Sequence, residues 1–207
     1  MEVKTIERSG FTAVLQTDPD PINPRKDYDN FGHMVCWHRR YNLGDEQPKM
    51  NFSEWRRLLA SGIVENDVDD DAVAAKIINE NTIMLPLFLY DHSGITMNTT
   101  GFSCQWDSGQ VGVIYATKDD VIKEYGEWNP ENIEKARKLM VGEVETYDQL
   151  LTGDVYGYEI TDKSGEVVDS CWSIFGDKWA NEEMEMALNA AVADEQARRE
   201  ESLVLQE

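Results

Sequence analysis

The sequence predicts an α+β fold in which a mainly antiparallel sheet carries helices on one face and a helix lies at the C-terminus. In several short segments, apolar and polar residues alternate with a period of two, as they do in half-buried strands. Amphipathic segments flanked by capping residues are interspersed among them without a βαβ rhythm, which favours antiparallel pairing. We expect residues 1–178 to form a single domain, and residues 179–207 to form an acidic helix and tail that packs on it or extends from it.

The first half of the chain contains three predicted strands and two predicted helices. The strands are expected at 11–18, 33–41 and 82–90, and the helices at 52–62 and within the acidic run 65–81. Three prolines exclude regular structure from residues 18–30. Asn51 or Ser53 would begin the first helix and Gly62 would follow its end. Pro86 predicts that the third strand lies at an edge or contains a bulge.

The second half begins with strands and ends with helices around a hairpin. Strands are expected at 95–100 and 111–117, helices at 118–126, 129–153 and 181–201, and a hairpin at 154–177. Thr117 and Asn129 are candidate N-caps, and Gly126 would close the first of these helices. Gly142 is a candidate break in the second. The turn of the hairpin is predicted at "DKSG".

The charge is the extreme feature of the composition. Forty Asp and Glu oppose nineteen Lys and Arg, which gives a net charge of −21. Nucleic acid and anionic membranes bind clustered cations, so neither is an expected partner. The composition is 41% hydrophobic with six Trp, which is enough for a packed core. We therefore expect a folded protein whose partner, if it has one, is a basic protein.

The sequence also carries indications of compartment. The first ten residues contain no apolar segment of a secretory signal, and no apolar run has the length of a membrane span. Three cysteines, Cys36, Cys104 and Cys171, lie far apart and are odd in number. Free thiols in a reducing cytoplasm are the expectation.

Four segments resemble a family of hypothetical proteins carried by bacteriophages and prophages. They are "MVCWHRRYNLGD", "LYDHSGITMNTTGFSCQWDSGQVGVIY", "GEVETYDQLLTGDVYGYEI" and "GEVVDSCWSIFGD". The likeness spans roughly residues 10–177. The family has no established activity, so the resemblance implies no catalytic residue. It implies a viral accessory protein that acts in the host bacterial cytoplasm, in host take-over or counter-defence.

Cysteine and histidine residues form one candidate metal site. Cys36 and His38 would share a face of the strand at 33–41, with His33 just upstream, and these side chains are usual zinc donors. No Cys-x-x-Cys pair supports such a site. The favoured interpretation is that all three thiols are small buried hydrophobes beside tryptophans, and that the protein holds neither metal nor cofactor.

Cys104 and His92 form the candidate catalytic alternative. A thiol nucleophile needs a base within hydrogen-bond reach and a group that orients the base, and Asp91 or Asp107 could supply that group. The alternative is an enzyme acting on a small or nucleic-acid-derived substrate. The favoured interpretation makes residues 90–117 a structural centre, with Trp106 in the core and the Cys104 thiol buried.

Two acidic clusters are the candidate partner-binding residues. They are Glu65, Asp67, Asp69, Asp70 and Asp71, and Glu182, Glu183 and Glu185. Solubility and helix-end electrostatics explain such clusters in many proteins. The sharper hypothesis is DNA mimicry, in which carboxylates imitate duplex phosphates in a basic groove. We therefore predict a non-catalytic phage protein that binds and inhibits a basic host factor such as a nuclease or another defence enzyme. A phage assembly accessory is a further alternative.

Overall fold

A computed structural model describes residues 1–204 and confirms the α+β class, with helices and antiparallel sheets throughout. The chain folds into two compact units. Unit 1 contains Met1–Ile22 and the chain from Gln149 onwards, and unit 2 is Asn23–Asp148. The last helix therefore shares a unit with the first strands, whereas a single domain over residues 1–178 was expected.

The elements are numbered in chain order. The strands are β1 (Glu2–Arg8), β2 (Phe11–Thr17), β3 (His33–Cys36), β4 (Thr82–Asp91), β5 (Ile95–Asn98), β6 (Ser108–Thr117), β7 (Val155–Thr161) and β8 (Val167–Phe175). The helices are α1 (Pro24–Asp27), α2 (Phe52–Val64), α3 (Asp71–Asn81), α4 (Lys118–Tyr125), α5 (Pro130–Thr152) and α6 (Asp177–Val204). Among the described helices, none is both long and apolar enough to cross a bilayer.

Unit 1 is a four-stranded antiparallel sheet with α6 on one face. Its strand order is β1-β2-β7-β8. The period of two in β2 buries Phe11, Ala13 and Leu15 on the face that meets α6, where Met184 and Leu188 complete the core. The predicted turn of the β7–β8 hairpin is present, and the amide of residue 162 donates to the carbonyl of residue 166.

Unit 2 contains the second antiparallel sheet, in the order β3-β6-β4-β5, with helices on both faces. Val35 and Val113 pack with Trp55 of α2 on one face. Ile114 points the other way, and both it and Met140 of α5 lie against Gly32. Helices therefore cover this sheet from two sides, whereas one helix covers the sheet of unit 1.

Local capping signals begin three helices of unit 2 where they were predicted. Asn51 and Thr117 form capping boxes with the residues three positions later. Asn129 accepts a hydrogen bond from the amide of Asn132. Gly142 does not break α5, which runs without interruption from Pro130 to Thr152. Gly62 lies inside α2 and not after its end.

A buried ion-pair network holds α1 against the rest of unit 2. The Arg25 side chain is 1% exposed and donates to both carboxylate oxygens of Asp45, at 2.8 and 2.5 Å. It also donates to Glu143 at 3.0 Å and to the carbonyl of Gly32 at 2.6 Å. Burial alone would lower the pKa of Arg25, but hydrogen bonds and charge from the two carboxylates raise it above its ordinary value. The guanidinium therefore stays charged although its side chain is buried.

Candidate functional site

The first acidic cluster lies on the connection between α2 and α3, which we name the acidic turn. Its members are Glu65, Asp67, Asp69, Asp70 and Asp71, and all five are exposed. Glu65 ends α2 in the left-handed conformation, with a φ of 53°. Asp70 caps α3 by accepting from the amides of Ala72 and Val73. Val68 is buried between them, so the turn is anchored and presents its carboxylates outward.

Local contacts neutralise only part of the acidic turn. Arg57 pairs with Asp71 at 2.7 Å, and Asp70 is occupied by the helix cap. Within the part of the chain that the structure describes, Glu65, Asp67 and Asp69 form no ion pair. These three carboxylates are therefore available to a cationic partner.

The second cluster, at the start of α6, is more engaged within unit 1. Lys4 pairs with Glu185 at 3.0 Å, and its hydrogen bond lowers the pKa of Glu185. Lys178 approaches Glu182 at 3.8 Å. Glu183 is half-buried near Tyr158, whose pKa is raised to about 12, first by burial and then by neighbouring acidic groups. This cluster is a weaker candidate for partner binding than the acidic turn.

The two clusters belong to different units, and the acidic surplus is shared between them. By sequence, unit 1 carries eighteen Asp and Glu against six Lys and Arg, and unit 2 carries twenty-two against thirteen. Each unit is thus strongly anionic by itself, and neither supplies the cations to neutralise its own surface.

The candidate catalytic set is only partly assembled. The thiol of Cys104 lies 3.7 Å from Oδ2 of Asp107, and Nδ1 of His92 lies 3.4 Å from the same oxygen. The thiol and the imidazole therefore both contact the Asp107 carboxylate, and among the described residues no hydrogen bond joins the thiol to the imidazole, as a thiol nucleophile and its base require. Asp91 does not orient His92, because it accepts hydrogen bonds from Arg40 and Tyr41 at 3.1 Å.

The predicted burial of Trp106 and of two thiols is wrong. Trp106 is 95% exposed, Cys104 is half-buried and Cys171 is exposed, so only Cys36 is a buried thiol among the three. Trp106 projects from a turn that is held by a hydrogen bond, which the Ser108 hydroxyl donates to the Cys104 carbonyl. A Trp between polar residues in a turn-rich segment, outside any alternating run, was the signal that it faces solvent.

The alternative metal ligands are not brought together. β3 ends at Cys36, so His38 lies in the following loop and not on the strand face of Cys36. His38 accepts hydrogen bonds from the amides of Arg40 and Tyr41. His33 is exposed and approaches Asp120 at 3.5 Å. Over residues 1–204, no three Cys, His, Asp or Glu side chains are grouped to hold a metal ion.

The three thiols should react in the order of their exposure. We expect a water-soluble maleimide at neutral pH to modify Cys171 first, Cys104 more slowly, and Cys36 last, because burial raises the pKa of the Cys36 thiol to about 12. Peptide mass spectrometry over a time course measures the order. In urea all three should react at similar rates. Equal rates for Cys36 and Cys171 in the native protein would contradict the packing described for unit 2.

Comparison with known proteins adds no relative. No protein-family model matches the chain, and no curated protein or solved structure matches it. Support for a function therefore comes from the geometry and charge of the chain itself.

Proposed function

We propose that this protein binds a basic partner protein through the acidic turn and inhibits it, as a phage accessory protein in a bacterial cytoplasm. One observation carries the proposal. In a chain of net charge −21, Glu65, Asp67 and Asp69 are exposed on an anchored turn without an ion pair among the described residues. Fixed, unneutralised carboxylates steer a cationic surface into contact and set its register.

Catalysis by Cys104 and His92 has less support. Both groups contact Asp107, and among the described residues no hydrogen bond joins the His92 imidazole to the Cys104 thiol. Binding requires no such assembly and uses the feature in which the sequence is most unusual. A nucleic-acid-binding enzyme of the host, such as a defence nuclease, is the class of partner that we favour, because its groove is built for anions. The carboxylates would then imitate phosphates and compete with DNA.

Capture from a bacterial lysate tests the proposal. The bait is the full chain, washed at about 50 mM and at about 500 mM salt, since surface attraction between charges is screened over a few ångströms at the higher concentration. The test variant is Glu65→Gln, Asp67→Asn and Asp69→Asn combined. The matched control removes three other exposed carboxylates of unit 2 that have no ion pair among the described residues, through Asp29→Asn, Glu124→Gln and Glu145→Gln.

We expect the bait to retain a basic protein at low salt and to lose it at high salt. The test variant should lose the partner at low salt, and the control should keep it. Added duplex DNA should displace the partner if the protein acts as a DNA mimic. Recovery of no basic protein at either salt, or equal recovery by the test variant, would count against the proposal.

A further inference from the structure

β8 is an exposed edge strand. The order β1-β2-β7-β8 places it at the end of the sheet of unit 1. Its first six residues, 167–172, are all exposed, including three apolar side chains, Val167, Val168 and Trp172. An edge strand presents unpaired N–H and C=O groups, and such a row is a template for another strand.

The usual protection of an edge is incomplete on β8. Edge strands are commonly blunted by Lys, by Pro, by bulges or by inward-pointing charges. The segment "VVDSCWSIF" contains no Lys, Arg or Pro, and its protection is limited to Asp169, which lies opposite Ile160, and to two register shifts. At the opposite edge, β1 carries Lys4 and Arg8. Residues 18–22 cover only the C-terminal part of β8: Ser173 donates to Asp18, and the amide of Ile22 donates to the Ser173 hydroxyl.

Two register shifts bound a regular stretch of β8. They lie opposite the segments 156–158 and 160–161, and between them Cys171, Ser170 and Asp169 pair regularly with β7. An added strand can extend the sheet along this stretch, and the bulges at both ends limit its length.

Acidic side chains flank this stretch on both faces of the sheet. Asp169 pairs with Ile160, whose side chain points toward α6, and Glu183 of α6 lies near Tyr158 on the same face. Glu159 pairs with Ser170 and points to the opposite face, because neighbouring residues of a strand alternate. Cations at every second position of an added strand all point to one face, and a carboxylate is present on each of the two faces.

We infer that β8 receives an extended segment of the basic partner as an added strand of the unit 1 sheet. This inference rests on the proposed function and names how the partner is held. Main-chain hydrogen bonds supply affinity in this mode of recognition, and side chains supply selectivity. Lys or Arg of the segment faces either Asp169 on the α6 face or Glu159 on the other. The apolar residues between them then pack on the opposite face, on Trp172 in the first case and on Val168 in the second. A second copy of the chain is disfavoured at this edge because two such acidic units repel.

Hydrogen exchange with a defined peptide tests the inference. The probe is an acetylated and amidated octapeptide that alternates Lys with Val, and the control peptide alternates Glu with Val. With the full chain, we expect the basic peptide to slow exchange about tenfold at those amides of 167–172 that face away from β7, since these are the amides that an added strand pairs. The acidic peptide should leave exchange unchanged.

Charge reversal on each edge strand provides the matched variants. Asp169→Lys on β8 should weaken binding of the basic peptide about tenfold or more, because like charges oppose each other at the contact. Glu7→Lys on β1 makes the same change in charge at the other edge and should leave the affinity unchanged.

The outcomes separate this inference from the proposed function. Binding of the peptide with protection elsewhere overturns the role of β8 and leaves cation binding intact. Capture of a basic protein without any binding of the peptide also overturns it. Failure of both peptide and lysate capture overturns the proposed function as well. Protection of 167–172 that depends on protein concentration, without peptide, would identify a second copy as the occupant and contradict the inference.

Discussion

Replacing Arg25 with alanine is expected to lower the free energy of unfolding by about 3–5 kcal/mol. The substitution removes the buried guanidinium and leaves Glu143, which is 12% exposed, and the partly exposed Asp45 without their cation. Glu143 also accepts from the amides of Phe31 and Gly32, so the loss extends to the segment that enters β3. The cost of an unpaired buried charge exceeds the value of the pair itself, which explains the size of the effect.

Arg40→Ala is the matched control for this experiment. Arg40 also pairs with an aspartate, Asp91 at 3.1 Å, but its side chain is 71% exposed. An exposed pair contributes less than about 1 kcal/mol. Urea denaturation of both variants measures the difference between their losses in free energy of unfolding. Arg25→Lys should lose an intermediate amount, because lysine keeps the charge but lacks the planar guanidinium that bonds both carboxylates. If Arg25→Ala and Arg40→Ala lose equal stability, the buried network does not hold unit 2 together.

Met184→Ala is expected to cost about 2–5 kcal/mol, whereas Met186→Ala should cost less than about 0.5 kcal/mol. The two methionines lie two positions apart on α6. Met184 is 0% exposed in the core of unit 1, and Met186 is 54% exposed. The first truncation leaves a cavity between α6 and the sheet, and the second removes atoms that already contact water.

The pair isolates packing from helix propensity. Both substitutions place the same alanine in the same helix, so any gain in propensity cancels in the comparison. Thermal and urea denaturation followed by circular dichroism provide the measurement. A similar stability for the two variants would show that α6 does not pack on the sheet through the face containing Met184 and Leu188.

Features encoded by neighbouring residues were predictable. The N-caps at Asn51, Thr117 and Asn129 each depend on a contact three residues away, and the hairpin depends on its turn. Pro86 was expected at an edge or bulge. In the structure β5 pairs with β4 only from Phe88 onwards, so no strand on that side requires an amide from Pro86.

Features set by distant residues were not predictable. Arg25 lies in a proline-rich segment that appeared irregular, and its carboxylate partners are 20 and 118 residues away. β3 ends at Cys36 because residues that follow it in the chain turn back alongside it. The amide of Cys36 donates to the carbonyl of Glu46. β1 was not predicted, because its charged residues obscure the alternation between exposed and partly buried side chains. The exposure of β8 depends on strand order, which a single sequence does not reveal.

The salt dependence of partner affinity tests the central claim most directly. With the captured basic protein, the dissociation constant is measured from about 50 to 300 mM salt for the wild-type chain and for the Glu65, Asp67 and Asp69 amide variant. We predict that the wild-type affinity falls at least about tenfold over this range, because attraction between exposed charges is screened. The variant should bind more weakly at low salt and respond less to added salt. An affinity that is unchanged by salt, and equal for the two chains, would contradict recognition through the acidic turn.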